Sequence, residues 1–267
     1  ESFRIYLFIA KLFNCKIIHL PSGCLEEETK AHWSKYENGN VCNNCGWSEI
    51  ACNDIRNIQE FNLLRRYCDT SLSPGCFDST QIPQTHIRYK SIDLEMWHPN
   101  IVIPDEYKLP ESNKLRILHG FVDKNRQHGG KNIKGSPYII EAVEQLQKEG
   151  HEVELLNPNN IKSNVMRYYQ VQADIVVEQL IYGWYGSSGV ECLSLGKPVI
   201  CFLRPSFKAF FLNIYKEYDD LPIIESDTTN IYSVLKALVI DKALRIEIGK
   251  KSRQFAESHF DVRKNAS

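Results

Sequence analysis

Between Gly183 and Ile200 the chain reads Gly-Trp-Tyr-Gly-Ser-Ser-Gly-Val-Glu-Cys-Leu-Ser-Leu-Gly-Lys-Pro-Val-Ile. The pattern is a glycine loop that opens a short helix, with one carboxylate, Glu191, inside it. A Gly-Lys-Pro turn then leads into a β-branched strand. Backbone N–H groups at a helix start point at whatever lies above them, and the helix dipole favours an anion there. Glu191 sits about one turn in, within reach of a neutral polyol beside that anion. Diphosphate plus ribose is the ligand this layout suits best. Glycine loops also precede helices for purely structural reasons, so the neighbours decide. Ala173 to Gln179 is a buried-strand pattern before the loop, and Pro198 to Leu203 is another after the helix. Ligands of parallel sheets sit at such strand ends.

A second constellation lies upstream. Ile117-Leu118-His119-Gly120 ends a strand, and a basic loop with Lys124, Arg126, Lys131 and Lys134 follows. Gly135-Ser136 then opens another helix. Strand end, cationic loop and helix start together make an anion site. The alternative is a solvated loop with coincidental lysines. Pairing with the Gly186 helix favours phosphate binding.

The nine cysteines are uneven: seven precede residue 77. Cys42 and Cys45 form a CxxC, with Cys52 beyond and Cys24 before. These four thiolates could hold a structural zinc far from the chemistry; reduced thiols are the competing reading. Cys192 and Cys201 lie in apolar patterns and are expected as buried thiols.

The elements that must position these groups follow from periodicity. Strands are expected at 115–119, 151–156, 173–179 and 197–203. Helices are expected at 137–148, 164–171, 230–239 and 242–259. This β-α-β alternation predicts a parallel, doubly wound sheet. Upstream, a helix at 3–13, a strand at 16–20, a helix at 54–67 and a short strand from Thr70 are expected. Prolines and small polar residues make 101–113 a linker. The expected organisation is therefore 1–100 as an irregular, cysteine-rich N-terminal region, the linker, and 114–267 as a C-terminal region of alternating strand and helix.

Composition bounds the rest. The 267 residues are 43% hydrophobic and 24% charged, enough for one large or two modest globular domains. A net charge of -1 gives no case for nucleic acid binding. Arg4, Lys11, Lys16 and His19 interrupt the most apolar run, so no membrane-spanning segment is expected. The amphipathic helix at 3–13 is expected to pack on the core, with peripheral membrane contact as its alternative. The chain starts at Glu1 and enters that helix directly, so preceding sequence is expected.

The arrangement resembles a known family. Lys131-Asn132-Ile133-Lys134-Gly135-Ser136 followed by Ile139-Ile140-Glu141-Ala142-Val143 is similar to the KG(S/T)…I-EA element of retaining glycosyltransferases of GT-B type, group 4 (the glycosyl transferases group 1 family). Ala173 to Val177, Gly183 to Gly186, Val190-Glu191 and Gly196 to Ile200 match the donor-site core of that family in order and spacing. The resemblance covers 114–203 well and 1–100 weakly. It implies an α/β, GT-B fold: two Rossmann-like domains facing a cleft, the first (1–100, acceptor-side) incomplete in this chain and the second (114–267) binding the nucleotide sugar.

The resemblance also implies roles. Lys134, with Arg126 or Lys131, would stabilise the diphosphate leaving group. Glu191 would bind the donor ribose. Gly135, Gly186 and the N–H groups of Ser187, Ser188, Gly189 and Val190 would surround the phosphates. His19 and Gly23, near a first-domain strand end, would face the sugar. No catalytic metal or other cofactor is implied; a nucleotide-diphosphate sugar would be the donor. The acceptor would be a saccharide, a lipid-linked molecule or another glycoconjugate precursor, in the cytoplasm or at the cytoplasmic face of a membrane. One departure stands out. The family carries a second glutamate eight residues before the ribose-binding one, where this chain has Gly183. Gln179 is the candidate substitute. Sugar transfer in glycoconjugate or polysaccharide synthesis is the leading reading. A non-catalytic nucleotide-sugar-binding protein, motivated by Gly183, and a sugar-nucleotide epimerase are the alternatives.

Overall fold

Short β-branched runs that must leave water set the architecture of the larger part of the chain. The computed structural model describes residues 2–19, 40–47, 52–73, 84–86, 91–120, 130–159 and 161–265. The chain divides into two compact units, Glu1–Tyr89 and Lys90–Ser267.

The first unit contains α1 (Ser2–Leu12), β1 (Ile18–His19), α2 (Asn40–Asn43), α3 (Asp54–Tyr67), β2 (Thr70–Ser73) and β3 (Gln84–His86). The three strands are parallel, in the order β1-β2-β3. Helix α3 begins where predicted because the Asn53 side chain accepts the Arg56 N–H at 3.1 Å. Arg65 and Arg66 complement the negative end of its dipole. Asp69 ties α1 to the start of β1, accepting from Lys11 Nζ at 2.7 Å and from the Ile17 N–H at 2.8 Å. Core packing was one expectation for α1. Leu7 is buried, whereas Phe3, Tyr6, Phe8 and Leu12 are exposed. Among the described residues no helix is long and apolar enough to cross a membrane.

The second unit alternates strand and helix. Its elements are β4 (Leu115–Leu118), α4 (Ser136–Lys148), β5 (Val153–Leu156), α5 (Ser163–Gln170), β6 (Ile175–Val177), α6 (Ser187–Ser194), β7 (Val199–Cys201), α7 (Pro205–Ile214), β8 (Ile223–Glu225), α8 (Ile231–Ile240), α9 (Lys242–His259) and α10 (Val262–Asn265). All strand pairs are parallel, in the order β5-β4-β6-β7-β8. Helix α7 and strand β8 are additions to the sequence-based expectation.

One sheet face buries Ile117, Ile175, Val177 and Ile200 beneath α4 and α8. Ile139, Val143 and Leu146 of α4 recur at helical spacing and are almost wholly buried. Truncating Ile139 or Leu146 to alanine should cost about 2–5 kcal/mol. Side chains alternate along a strand, so Leu118, Val176, Val199 and Cys201, also buried, serve the opposite face, where α6 packs on β7 and on α9.

Residues 101–113, expected as a linker, lie within the second unit. The Leu109 N–H donates to Gln172 Oε1 at 2.8 Å, and Tyr107 stacks on Tyr168 with ring centroids 5.2 Å apart. Ile92 bridges to Asp261.

The strand order places β5 and β6 on opposite sides of β4. The connections that leave β4 (to β5) and β6 (to β7) therefore run in opposite directions and open a crevice beyond the carboxyl ends of β4 and β6, where ligands of open parallel sheets bind. The basic loop follows β4 and the glycine loop follows β6, so topology brings both sequence motifs to one crevice.

Candidate functional site

The crevice begins with a buried polar staple. His119, at the end of β4, has no exposed surface. Its Nδ1 lies 2.8 Å from the Val177 carbonyl of β6, and its Nε2 lies 2.7 Å from Ser136 Oγ at the start of α4. Burial, reinforced by Lys134, pushes its pKa down to about 4, so the ring is neutral at pH 7. A carbonyl only accepts, so Nδ1 carries the proton and Ser136 donates to Nε2. One imidazole thus joins β4, β6 and α4.

Asn132 shapes the end of the basic loop. Its Oδ1 accepts the N–H groups of Lys134 at 3.0 Å and Ser136 at 3.3 Å. Gly135 then takes φ +77°, a left-handed conformation. A Cβ there would lie 3.0 Å from Leu180 Cβ, so the two loops pack backbone to side chain. The Leu180 N–H also donates to the Lys134 carbonyl at 3.0 Å.

The side chain of Lys134 crosses between the loops and pairs with Glu178. Glu178 side-chain exposure is 2%, so Lys134 is the counter-ion of a carboxylate held away from water. Glu178 also lies beneath the glycine loop: a Cβ on Gly186 would come 3.2 Å from Glu178 Oε1. Sequence reasoning missed Glu178, which reads as one polar residue closing a buried strand.

Aromatic anchors hold the glycine loop. Trp184 is buried and stacks on Phe211 of α7, centroids 4.1 Å apart and planes 5° from parallel. Tyr185 is buried against Trp184 and Phe260. Gly189 is small because a Cβ there would lie 2.8 Å from Tyr185 Cβ. Gly186 is the N-cap of α6. Its carbonyl accepts the N–H groups of Gly189 at 3.1 Å and Val190 at 3.3 Å. Those two N–H groups, expected to face phosphate, are directed into the helix instead. Ser187 and Ser188 occupy the positions whose N–H groups a helix start gives no intrahelical acceptor. A Cβ on Gly120 would lie 4.0 Å from Ser188 Oγ, which puts the start of the basic loop beside the first turn of α6.

Glu191 lies on the second turn of α6, half-buried. Gln170, the buried last residue of α5, donates to its Oε2 at 2.6 Å. Gln170 therefore sets the direction of the carboxylate.

Gly183 has φ +102°, and its carbonyl accepts the Arg204 N–H at 2.8 Å. A Cβ at this position would lie 2.6 Å from Arg204 Cβ and 2.9 Å from Arg204 Nε. Arg204 is 1% exposed, with Nη2 donating to the carbonyls of Ile181 at 3.2 Å and Tyr182 at 3.0 Å. The guanidinium fills the space that a side chain at 183 would need. Gln179, the expected substitute, is buried and spends its amide on the Trp184 carbonyl, bracing the loop from inside.

The other predicted residues are dispersed. His19 ends β1, in register with Ser71, in the first unit. Lys131 is half-buried in the turn before Asn132. Arg126 and Gly23 lie outside the described residues. For the zinc expectation, Cys45 is buried, Cys42 and Cys52 are half-buried, and Cys24 lies outside the described residues. Among the described residues no group of three or more His, Cys, Asp or Glu could hold a metal, so zinc has no support here. Cys192 and Cys201 are buried, and burial raises both thiols well above their ordinary range.

These features define a doubly wound α/β fold with a crevice at the carboxyl ends of β4 and β6. The fold is that of GT-B glycosyltransferases. Sucrose-phosphate synthase from Thermosynechococcus elongatus superposes with a TM-score of 0.60 at 13% identity, over 97% of this chain and 67% of that one. Anabaena HepE in complex with UDP and glucose gives 0.61 at 12% identity, over 98% and 73%. HepE in complex with UDP-glucose gives 0.61 at 12% identity, over 97% and 72%. No family model matches the chain, and no curated protein matches its sequence.

Proposed function

We propose that the chain binds a nucleotide-diphosphate sugar at the crevice beyond β4 and β6 and transfers the sugar to an acceptor with retention of configuration. One observation carries the reading: the cationic loop ending at Lys134 and the glycine helix bearing Glu191 meet at the topological switch point, as Gly120 beside Ser188 and Lys134 beside Glu178 record. Glu191, aimed by Gln170, is assigned to the ribose hydroxyls. The first turn of α6, at Ser187 and Ser188, is assigned to phosphate oxygens. An ammonium has three donors. Lys134 can keep one on Glu178 and turn another to the leaving phosphate oxygen, where negative charge grows in the transition state. Lys131 and Arg126 belong to the same cationic loop. His19 and Gly23 are assigned to the sugar and acceptor side, with a saccharide or lipid-linked acceptor. The chemistry proposed needs no metal, and its setting is the cytoplasm or the cytoplasmic face of a membrane.

A second reading, donor binding without turnover, is favoured by Gly183. Arg204 occupies the space that the family's sugar-contacting glutamate would require. The two readings separate on nucleotide release. Nucleoside diphosphate that accumulates from a nucleotide sugar only when acceptor is present supports transfer. Saturable donor binding with no release, across a panel of saccharide and lipid-linked acceptors, overturns it.

A further inference from the structure

The opposite end of the sheet carries a second charged feature. Asp174 precedes β6 and Lys197-Pro198 precede β7, so these residues sit at the amino ends of strands whose carboxyl ends face the glycine loop. A pocket of about 520 Å³ opens there, between the end of α6 and one side of α9. Its size is that of a small-molecule site.

The lining is strongly one-signed. Lys197, Lys242, Arg245, Lys250 and Arg253 contribute five cations, against the single carboxylate of Asp174. The whole chain carries a net charge of -1, so this is a local concentration of charge. Three of the cations are fixed by backbone carbonyls. Arg253 donates to Ser194 at 2.7 Å and Trp97 at 3.0 Å, Arg245 to Leu238 at 2.5 Å and Val239 at 3.0 Å, and Lys197 to Val171 at 2.6 Å. Such bonds cap helix ends. They orient the cations without neutralising them. Among the described residues, Arg253 is the one of the five that pairs with a carboxylate, that of Glu257 at 2.7 Å. Asp174 attracts Lys197 only at longer range and accepts the Arg116 N–H at 2.8 Å. Burial lowers the Lys197 pKa despite that attraction, which marks a cation short of counter-charge. Lys242 and Lys250 stand exposed at the rim and form no ion pair with the described residues.

The pocket floor is rigid. Gly196 takes φ +68°, and a Cβ on Gly249 would overlap the Gly196 carbonyl, so α9 meets the α6–β7 turn backbone to backbone. Pro99, Pro198 and Ile246 add apolar wall. Fixed cations, two exposed lysines at the mouth and an apolar side suit an organic molecule bearing phosphate.

We propose that this pocket is a second ligand site, separate from the glycine-loop crevice, that binds a small phosphorylated molecule. The finite pocket and near-neutral chain favour a small ligand over nucleic acid, which needs an extended basic track.

The test titrates the ¹⁵N-labelled chain with inorganic pyrophosphate at low ionic strength and follows individual backbone amides. The expected result is saturable shifts at Gly196, Lys197 and Gly249. A Lys242→Ala/Lys250→Ala variant, with the wild-type thermal midpoint because both side chains are exposed, should bind at this pocket at least about tenfold more weakly. Absence of saturable shifts at those amides, shifts confined to residues 183–189, or equal affinity in the double variant would overturn the proposal. Amides of the crevice report separately on the diphosphate reading above, so either site can fail alone.

Discussion

Gly183 and Arg204 are sterically locked: a Cβ on the glycine would lie 2.6 Å from the arginine Cβ. The position at which the resembling family carries a glutamate is thus closed by a buried guanidinium. Gly183→Glu combines a left-handed backbone with overpacking, and should lower unfolding free energy by about 3 kcal/mol. Chemical denaturation checks this. A variant as stable as the wild type that also gains turnover would mean that Arg204 readily moves aside.

The Lys134–Glu178 pair makes a second prediction. Removing one partner of a buried pair leaves an uncompensated charge, at a cost of about 3–5 kcal/mol. Lys134→Ala should therefore destabilise the fold as well as weaken diphosphate binding. Lys134→Met combined with Glu178→Gln should recover most of the stability and none of the binding. Urea unfolding of the three proteins distinguishes this from a surface pair, for which all three would unfold alike.

His119 predicts a pH response. Its pKa falls from 6.5 in the unfolded reference to about 4 in the fold. Below pH 6.5 the unfolded chain takes up this proton first, so stability is intact above that pH and is lost as pH falls towards 4. The full loss is about 3 kcal/mol. His119→Gln should flatten the pH dependence of unfolding between pH 6.5 and 4 relative to the wild type. An unchanged slope would show that His119 titrates normally.

Gln170 predicts a functional effect without touching ligand. Gln170→Ala removes the donor that aims Glu191 and should weaken nucleotide-sugar binding by about tenfold. Isothermal calorimetry against the wild type measures this. Equal affinity would mean that Glu191 needs no aiming.

Much of the second unit was legible because its signals are local. Ile-Val-Val and Val-Ile-Cys can hardly be anything but buried strands, and Ser136-Pro137 with Gly150 brackets α4. Helix α7 was hidden because Phe210-Phe211-Leu212 is a continuous apolar run that blurs the helical period, although Phe207 and Phe211 are the buried pair. Strand β8 is three residues long at the sheet edge, below what a pattern can separate from a loop.

The candidate site was half legible. Lys134, Gly186 and Glu191 sit in motifs that carry their own spacing. Glu178 does not, because its partner Lys134 is 44 residues earlier and only the β4–β6 pairing brings them together. Gln170 lies 21 residues from Glu191 for the same reason. The proline-rich stretch at 101–113 read as a linker on composition, while its hydrogen bond to Gln172 and its ring stack on Tyr168 depend on folding.

The central claim is that Glu191 holds the donor ribose at the glycine-loop crevice. Its most direct test is the affinity of the wild type and Glu191→Ala for a panel of nucleotide-diphosphate sugars, measured by calorimetry at matched thermal stability. The account predicts saturable binding of at least one donor by the wild type and a loss of about 2 kcal/mol, or some thirtyfold, in the variant. Equal affinity of the two proteins for that donor would contradict it.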